Sequence, residues 1–350
     1  MRPRFIVGLT LLAYLALSLA SPPYLRAQTD PYYKGKSIRI IVGLSTGGGY
    51  DRAARLMAKY LNKHVPGNPD VLVQNMPGAS SVTAANYVWG VAKPDGLTLL
   101  APHNNVYLAQ LSAQKEVQFD LTKFQWIGSL ENDDMAMFGR ADAPFKSMQD
   151  IVRAKEPPKC GTTGVGGSDY VLSKILEETI GAKISHVAGY PGSSEIAIAV
   201  ERGEVVCQGL TISTFFSREP FLTWLKTKFV RFLVQSGHKR SERVPDAPTI
   251  YELMDEFKTP ATSRRVAEAM LQGGEWARPL MAPPGIPADR LTILRASYEK
   301  AVKDPELLAE AKKLRIDVTP ARGEALQGMA KQVMDQPPEV IEQIKKLFVQ

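Results

Sequence analysis

The apolar positions of the chain follow two alternating spacings. Ser37-Ile38-Arg39-Ile40-Ile41-Val42 is a short run rich in β-branched residues and predicts a strand. A helix follows from about Asp51 to Val65, where Leu56, Met57, Tyr60 and Leu61 recur three or four apart and form one apolar face. Val71–Val73 predicts the next strand and Val82–Val91 a second amphipathic helix. The turn Lys93-Pro94-Asp95-Gly96 then leads into a strand at Leu97–Ala101. Strands and helices alternating over so short a stretch predict an α/β unit, a parallel sheet with right-handed crossovers. A second series begins at a strand over Lys159–Thr162 and a helix over Tyr170–Ile180. It continues with a strand at Ile184–Val187, a helix ending at Glu201, and strands at Val205–Cys207 and Val230–Val234. Trp126–Arg140 separates the two series, which implies two lobes. The last third reads as helices over Leu291–Lys303, Glu306–Leu314, Glu324–Met334 and Pro338–Leu347, preceded by the proline-rich run Met281–Pro287.

The first residues fit neither spacing. Met1-Arg2-Pro3-Arg4 is cationic, Phe5–Ala20 is almost wholly apolar, and no acidic residue precedes Asp30. This order predicts a secretory signal peptide over residues 1–27, with small residues permitting cleavage after Ala20 or Ala27. The apolar run is short for a bilayer span. Without residues 1–27, Lys+Arg falls from 43 to 40 against 36 acidic residues, so a net charge of +7 becomes +4. The remaining excess is scattered, with no basic stripe, and argues against nucleic-acid binding.

A length of 350 residues suggests about two domains. At 44% hydrophobic and 23% charged the chain is neither disordered nor a polytopic membrane protein. Two cysteines cannot build a disulfide-dense scaffold. Export would permit a Cys160–Cys207 bridge, and two buried thiols are the equal alternative.

The candidate chemistry lies in the loops that follow the strands. Ser45-Thr46-Gly47-Gly48-Gly49, Gly78-Ala79-Ser80-Ser81, Thr162–Ser168 and Gly189–Ser194 are small-residue loops, each opening a helix. Such loops expose backbone N–H donors at a helix start, where about half a positive charge gathers, and so favour carboxylates and other anions. Each alone is also an ordinary strand-to-helix turn. Gly43-Leu44-Ser45-Thr46-Gly47 matches the G-x-S-x-G nucleophile elbow, which makes a secreted α/β hydrolase using Ser45 the alternative reading. Too little sheet precedes it for that fold. No Gly-Lys-Ser/Thr follows the glycine triplet, and the four histidines lack metal-ligand spacing, so neither a nucleotide nor a metal or other cofactor is expected. His103 is kept as a candidate because it ends a strand.

Several ordered motifs resemble the tripartite tricarboxylate transporter receptors, also called Bug receptors. They are Tyr33–Val42 with Gly47-Gly48-Gly49-Tyr50-Asp51, Asn75-Met76-Pro77-Gly78-Ala79, and Lys93-Pro94-Asp95-Gly96-Leu97-Thr98-Leu99-Leu100. Phe119–Phe124, Pro245–Thr249 and Ala282–Pro287 extend the match over nearly the whole mature chain. The resemblance implies a type II periplasmic binding protein, two doubly wound α/β lobes joined by a hinge, closing on a small carboxylate and docking on integral membrane permease subunits. It implies a monomer. The expected lobes are 28–130 with 240–350, and 131–239. Carried over by position, the ligand-binding candidates are Ser45, Thr46, Gly47, Gly48, Gly49, Gly78, Ala79 and Ser80 on the first lobe. On the second they are Thr163, Gly164, Gly167, Ser168, Asp169 and Tyr190.

The departures from the family pattern are specific. Ser45-Thr46 stands where two prolines are frequent, Asp169-Tyr170 replaces a Ser-His pair, and Tyr190–Glu195 replaces a Tyr-Lys-Gly-Gly run. Gly209-Leu210 stands where many members carry an acidic residue. Asp169 reads as the cap of a helix starting at Tyr170, with a ligand contact as the other reading. Tyr190 could pack on an aromatic ligand or line the hinge, and Glu195 reads as a first-turn carboxylate. Asp255–Gln272 reads as an exposed helical insertion. A sensor that shows its closed form to a signalling partner would carry the same sequence.

Overall fold

The computed structural model describes residues 31–164 and 166–348. The expected signal peptide falls at 1–27, outside the described residues. The first series forms β1 (Ser37–Val42), α1 (Gly49–His64), β2 (Asp70–Asn75), α2 (Val82–Gly90), β3 (Thr98–Ala101) and α3 (Val106–Leu111). Leu56, Met57, Tyr60 and Leu61 of α1 are all buried, as their spacing requires. Two strands then divide between two sheets, β4 (Gln125–Ser129) and β5 (Met135–Arg140). The second series gives α4 (Met148–Arg153), β6 (Lys159–Gly161), α5 (Ser168–Ile180), β7 (Ser185–Val187), α6 (Ser193–Arg202), β8 (Cys207–Thr211), α7 (Ile212–Phe215), α8 (Phe221–Thr227) and β9 (Val230–Gln235). After α9 (Ile250–Glu256) and α10 (Ala261–Leu271) the chain returns through β10 (Pro279–Ala282). It ends in α11 (Ala288–Ala301), α12 (Pro305–Leu314), β11 (Ala321–Arg322), α13 (Gly323–Met334) and α14 (Pro338–Phe348).

The sheets are mixed and share one plan. The first runs β11-β4-β10-β3-β1-β2 and the second β7-β6-β8-β5-β9. In each, three parallel strands are followed by an antiparallel strand made just after the chain crosses between lobes: β10 in the first sheet and β5 in the second. The parallel strands come from strand–helix–strand units, so their C-terminal ends and the helix starts beyond them gather at one edge of each sheet.

The expected exposed insertion at Asp255–Gln272 is largely α10, and the structure corrects its exposure. Val266, Ala267, Ala269 and Met270 are buried, and Ser263 bonds Glu178 of α5 at 2.7 Å. Spaced three and four apart, the apolar residues give α10 an amphipathic face that charge-rich composition concealed.

The open question about the cysteines is settled by strand pairing. Cys160 and Cys207 are partners on the neighbouring parallel strands β6 and β8, with Cα atoms 4.5 Å apart, and they form a disulfide. A bridge closing a separation of 47 residues is worth roughly 4 kcal/mol in the loop-entropy picture and typically 2–4 kcal/mol as measured. Urea unfolding of the Cys160→Ala, Cys207→Ala protein should show a loss of about 2–4 kcal/mol; a loss below about 0.5 kcal/mol would mean that the bridge adds nothing to the sheet.

Candidate functional site

The cleft between the two sheet edges is built around three helix starts. Gly48 is the N-cap of α1, Gly167 of α5 and Gly192 of α6, and none of the three helices has a side-chain cap bond. Glycine at those positions offers no oxygen to the first-turn amides; at α5 the Asp169 carboxylate takes up the Tyr170 N–H instead, while the starts of α1 and α6 keep their N–H groups for a ligand. The three starts meet at a cavity of ≈ 100 Å³ that opens onto ≈ 720 Å³ of space shared with solvent. Ser45, Thr46, Gly48 and Gly49 line it from the first lobe, and Thr163, Ser168 and Asp169 from the second, together with His103. Ser193, Ser194, Glu195 and Gln208 complete the polar wall.

The other expected residues support the loops or stand behind them. Gly47 has a φ of +82° and donates its N–H to Asp51 at 2.9 Å. Asp51 also accepts from Arg55 and Asn75. Burial opposes its charge, yet these bonds hold its carboxyl below the ordinary value. Gly78, Ala79, Ser80 and Ser81 form four successive residues of positive φ. The resulting tight turn lies directly over Gly43, where a Cβ would strike Ser81. Gly43 is therefore a packing glycine. Ser81 Oγ donates to Gly43 O and accepts from the His103 N–H. Ser80 faces the opposite lobe, its Cβ 3.4 Å from where a Cβ on Gly166 would stand. Gly164 and Gly167 shape the turn before α5, joined by a Gly167 N–H to Gly164 O bond. Tyr190 packs on the small apolar cluster around Ile196 and Phe215, away from the cavity wall.

His103 links the lobes. The Asn105 N–H donates to its Nδ1 at 3.1 Å, so the proton sits on Nε2, which donates to Ser168 Oγ at 3.3 Å. Burial, with Arg278 nearby, pushes its pKa down to about 3, so the ring is neutral. Its face stacks on Tyr50 at 5.1 Å.

Asp169 does not cap a helix starting at Tyr170, because α5 begins at Ser168 with Gly167 as its N-cap. Its carboxylate instead accepts from the Thr163 N–H and Oγ1 and from the Tyr170 N–H, which folds the loop back onto the helix. Burial pushes this carboxyl up to about 7, against the pull of those bonds. A carboxyl whose folded pKa is raised adds stability that is fully present below its unfolded value of about 4 and lost as pH rises through about 7. Neutral His103 acts oppositely, losing stability as pH falls from 6.5 towards 3. The two are separable by difference: between pH 4 and 7 the Tm of Asp169→Asn should move in the variant's favour relative to wild type. Parallel curves would show that folding leaves the Asp169 pKa unshifted.

A second group of charges sits behind the cavity at the hinge. Glu131 and Asp133 lie between β4 and β5, and Arg278 immediately precedes β10, so all three belong to the crossings. Arg278 Nη2 is 3.5 Å from Glu131 and 3.7 Å from Asp133, and its guanidinium lies 4.4 Å from the centre of the Tyr50 ring. Ser213 of α7 donates its backbone N–H to Asp133 at 3.2 Å, and its hydroxyl lies between the two carboxylates. Burial pushes Asp133 up to about 7, against Arg278, and raises Glu131 as well. Arg218 stands outside the wall and donates to Ser194 Oγ at 2.9 Å and Ser193 Oγ at 2.6 Å.

Sequence reasoning passed over Tyr50, Glu131, Asp133, Gln208 and Arg278. Gly209, noted as a departure, has a steric reason: a Cβ there would stand 2.9 Å from Asp169 Cα. The start of α5 therefore leaves no space for an acidic side chain. Ser45 Oγ is 3.0 Å from the place of a Cβ on Gly192. His64, His103, His186 and His238 bond to Asp304, Ser168, Glu177 and Tyr251 respectively, so none of them is paired with Ser45.

Two α/β lobes joined by paired crossings, with helix starts from both meeting in the cleft, define the type II periplasmic binding protein class. The sequence model of the tripartite tricarboxylate transporter family receptor (TctC) matches residues 53–346, and the chain belongs to that family. The UPF0065 protein in the gbd 5′ region of Cupriavidus necator is 33% identical over 246 residues, 69% of this chain and 71% of that protein. Among solved structures, the periplasmic binding protein BugD superposes with a TM-score of 0.71 at 22% identity, covering 90% of this chain and 98% of BugD. MatC from Rhodopseudomonas palustris, solved with bound malate, superposes with a TM-score of 0.67 at 19% identity, covering 90% and 99%.

Proposed function

We propose that this protein is a periplasmic receptor, exported by its N-terminal signal peptide, that captures a small carboxylate between its lobes. It would deliver the ligand, as a monomer and without catalysing a reaction, to the membrane subunits of a tripartite tricarboxylate-type transporter. The observation that carries it is the meeting of three uncapped helix starts from both lobes. A carboxylate there gains N–H bonds and three favourable dipole ends at once. Contacts from both lobes are also what makes a ligand favour the closed form. Malate bound to MatC supports the same ligand class.

The test is a thermal-shift and calorimetric screen of ligand-free protein against mono-, di- and tricarboxylates. Ligand at a hundred times its Kd should stabilise the protein by about 2.7 kcal/mol. A flat screen with folded, empty protein would end the carboxylate reading. Ser45→Ala removes one hydroxyl and should weaken binding by about tenfold or less, the worth of one hydrogen bond. An esterase activity in wild type that disappears in this variant would restore the hydrolase alternative.

A further inference from the structure

Among the described residues two glutamines are wholly enclosed, and their circumstances differ. Gln235 is 0% exposed. Its Nε2 donates to Val244 O and Ala247 O, and its Oε1 accepts from the Ser241 N–H. Gln208, on β8, is likewise 0% exposed, but its Nε2 and Oε1 have no hydrogen-bond partner. Gln208 is among the residues that line the cleft. An enclosed amide with both ends unpaired destabilises the protein, and a ligand that pairs both ends recovers that energy.

The charges around the cleft restrict what such a ligand can present. Asp169 and Glu195 are the charged side chains on the wall, and among the described residues no lysine or arginine lines it. Arg278, which approaches Gly49 from behind, is already engaged by Glu131 and Asp133. The three helix starts suit one carboxylate. Arg218 reaches the wall residues Ser193 and Ser194 from outside. A second carboxylate at Gln208 would find no lysine or arginine on the wall itself and would leave Oε1 without a donor. An ammonium there would leave Nε2 without an acceptor. A neutral group that both donates and accepts pairs both atoms.

From this geometry we propose that Gln208 reads a neutral donor–acceptor group, a primary amide or a hydroxyl, on a ligand that carries a single carboxylate. This deepens the carboxylate-receptor reading and rests on it.

Calorimetry on ligand-free protein should compare three-member sets of equal chain length: succinate, succinamate and 4-hydroxybutyrate, with the corresponding C5 and C6 compounds. In at least one set the amide or hydroxyl acid should bind tenfold or more tightly than the dicarboxylate. Gln208→Met keeps the volume and removes the polar ends. It should abolish that preference, while the Tm of the ligand-free protein stays level or rises, because an unpaired buried amide is gone. A purely structural glutamine would lower the Tm when replaced. Dicarboxylates binding as tightly as their neutral partners in every set, or a preference that survives Gln208→Met, would overturn this inference and leave the receptor reading standing. Failure of every carboxylate in the wider screen would overturn both.

Discussion

Arg278→Met should lower stability to urea by about 3–5 kcal/mol, the penalty for removing one partner from a buried ion cluster. Arg278 is 7% exposed, and Glu131 and Asp133 are 3% and 6% exposed, so water cannot take over its role. The guanidinium also donates to Ala277 O, Ser213 Oγ and Thr214 Oγ1, and a thioether replaces none of these bonds. The two carboxyls can respond by taking up protons, which Asp133, already pushed up to about 7, does readily. The loss should therefore be smaller at pH 5 than at pH 8. An equal loss at both would show that packing and neutral hydrogen bonds, and no buried charge, set the effect. The cluster joins both crossings to α7 of the second lobe and to Tyr50 on α1, so the variant should also open the hinge, visible as a larger radius of gyration in solution scattering.

Gly49→Val should weaken carboxylate binding by 10- to 100-fold and leave the separate lobes folded. Gly49 is the first residue of α1 and lines the cleft. A Cβ there would stand 2.8 Å from Thr214 Oγ1 and 3.2 Å from Arg278 Nη2. The valine must push α7 away from α1, and overpacking of this kind typically costs about 1–3 kcal/mol. Thr214 belongs to the second lobe, so that penalty opposes the approach of the lobes, and each 1.4 kcal/mol is about tenfold in affinity. Gly90→Ala is the control, since a Cβ on Gly90 meets nothing within 4 Å. Calorimetry with a carboxylate found in the screen decides: a wild-type Kd in Gly49→Val would show that the lobes bind without this approach.

The α/β units were legible because β1 and β3 are short unbroken apolar runs, wholly or largely buried, set off by a helix whose apolar residues recur on one face and by turn residues. The crossing strands were not. Gln125–Ser129, Met135–Arg140 and Pro279–Ala282 are almost wholly buried, so no alternation marks them, and glycine, serine and proline within them read as breakers. The same division holds at the cleft. Ser45, Thr46, Gly48, Gly49 and Ser168 belong to local loop chemistry and could be read from neighbours. Glu131, Asp133 and Arg278 acquire meaning from contacts across more than a hundred residues, and Gln208 from side-chain ends that have no hydrogen-bond partner. Asp169 was read at its correct place with a different partner: it holds Thr163, five residues before the helix start, through loop geometry that composition does not carry.

The position of β10 has a consequence for the order of assembly. Pro279–Ala282 lies between β3 and β4, pairing Met281 with Leu100 on one side and all four of its residues with β4 on the other. The first sheet therefore stays split until the last quarter of the chain has arrived. The second sheet draws its five strands from residues 135–235 alone. A chain emerging N-terminus first completes its second lobe while the first still waits for a missing central strand, and stretches of a sheet that depend on distant pairing form late. As the exported receptor proposed above, the chain would keep its leading third loose during passage and lock it when the trailing end is through.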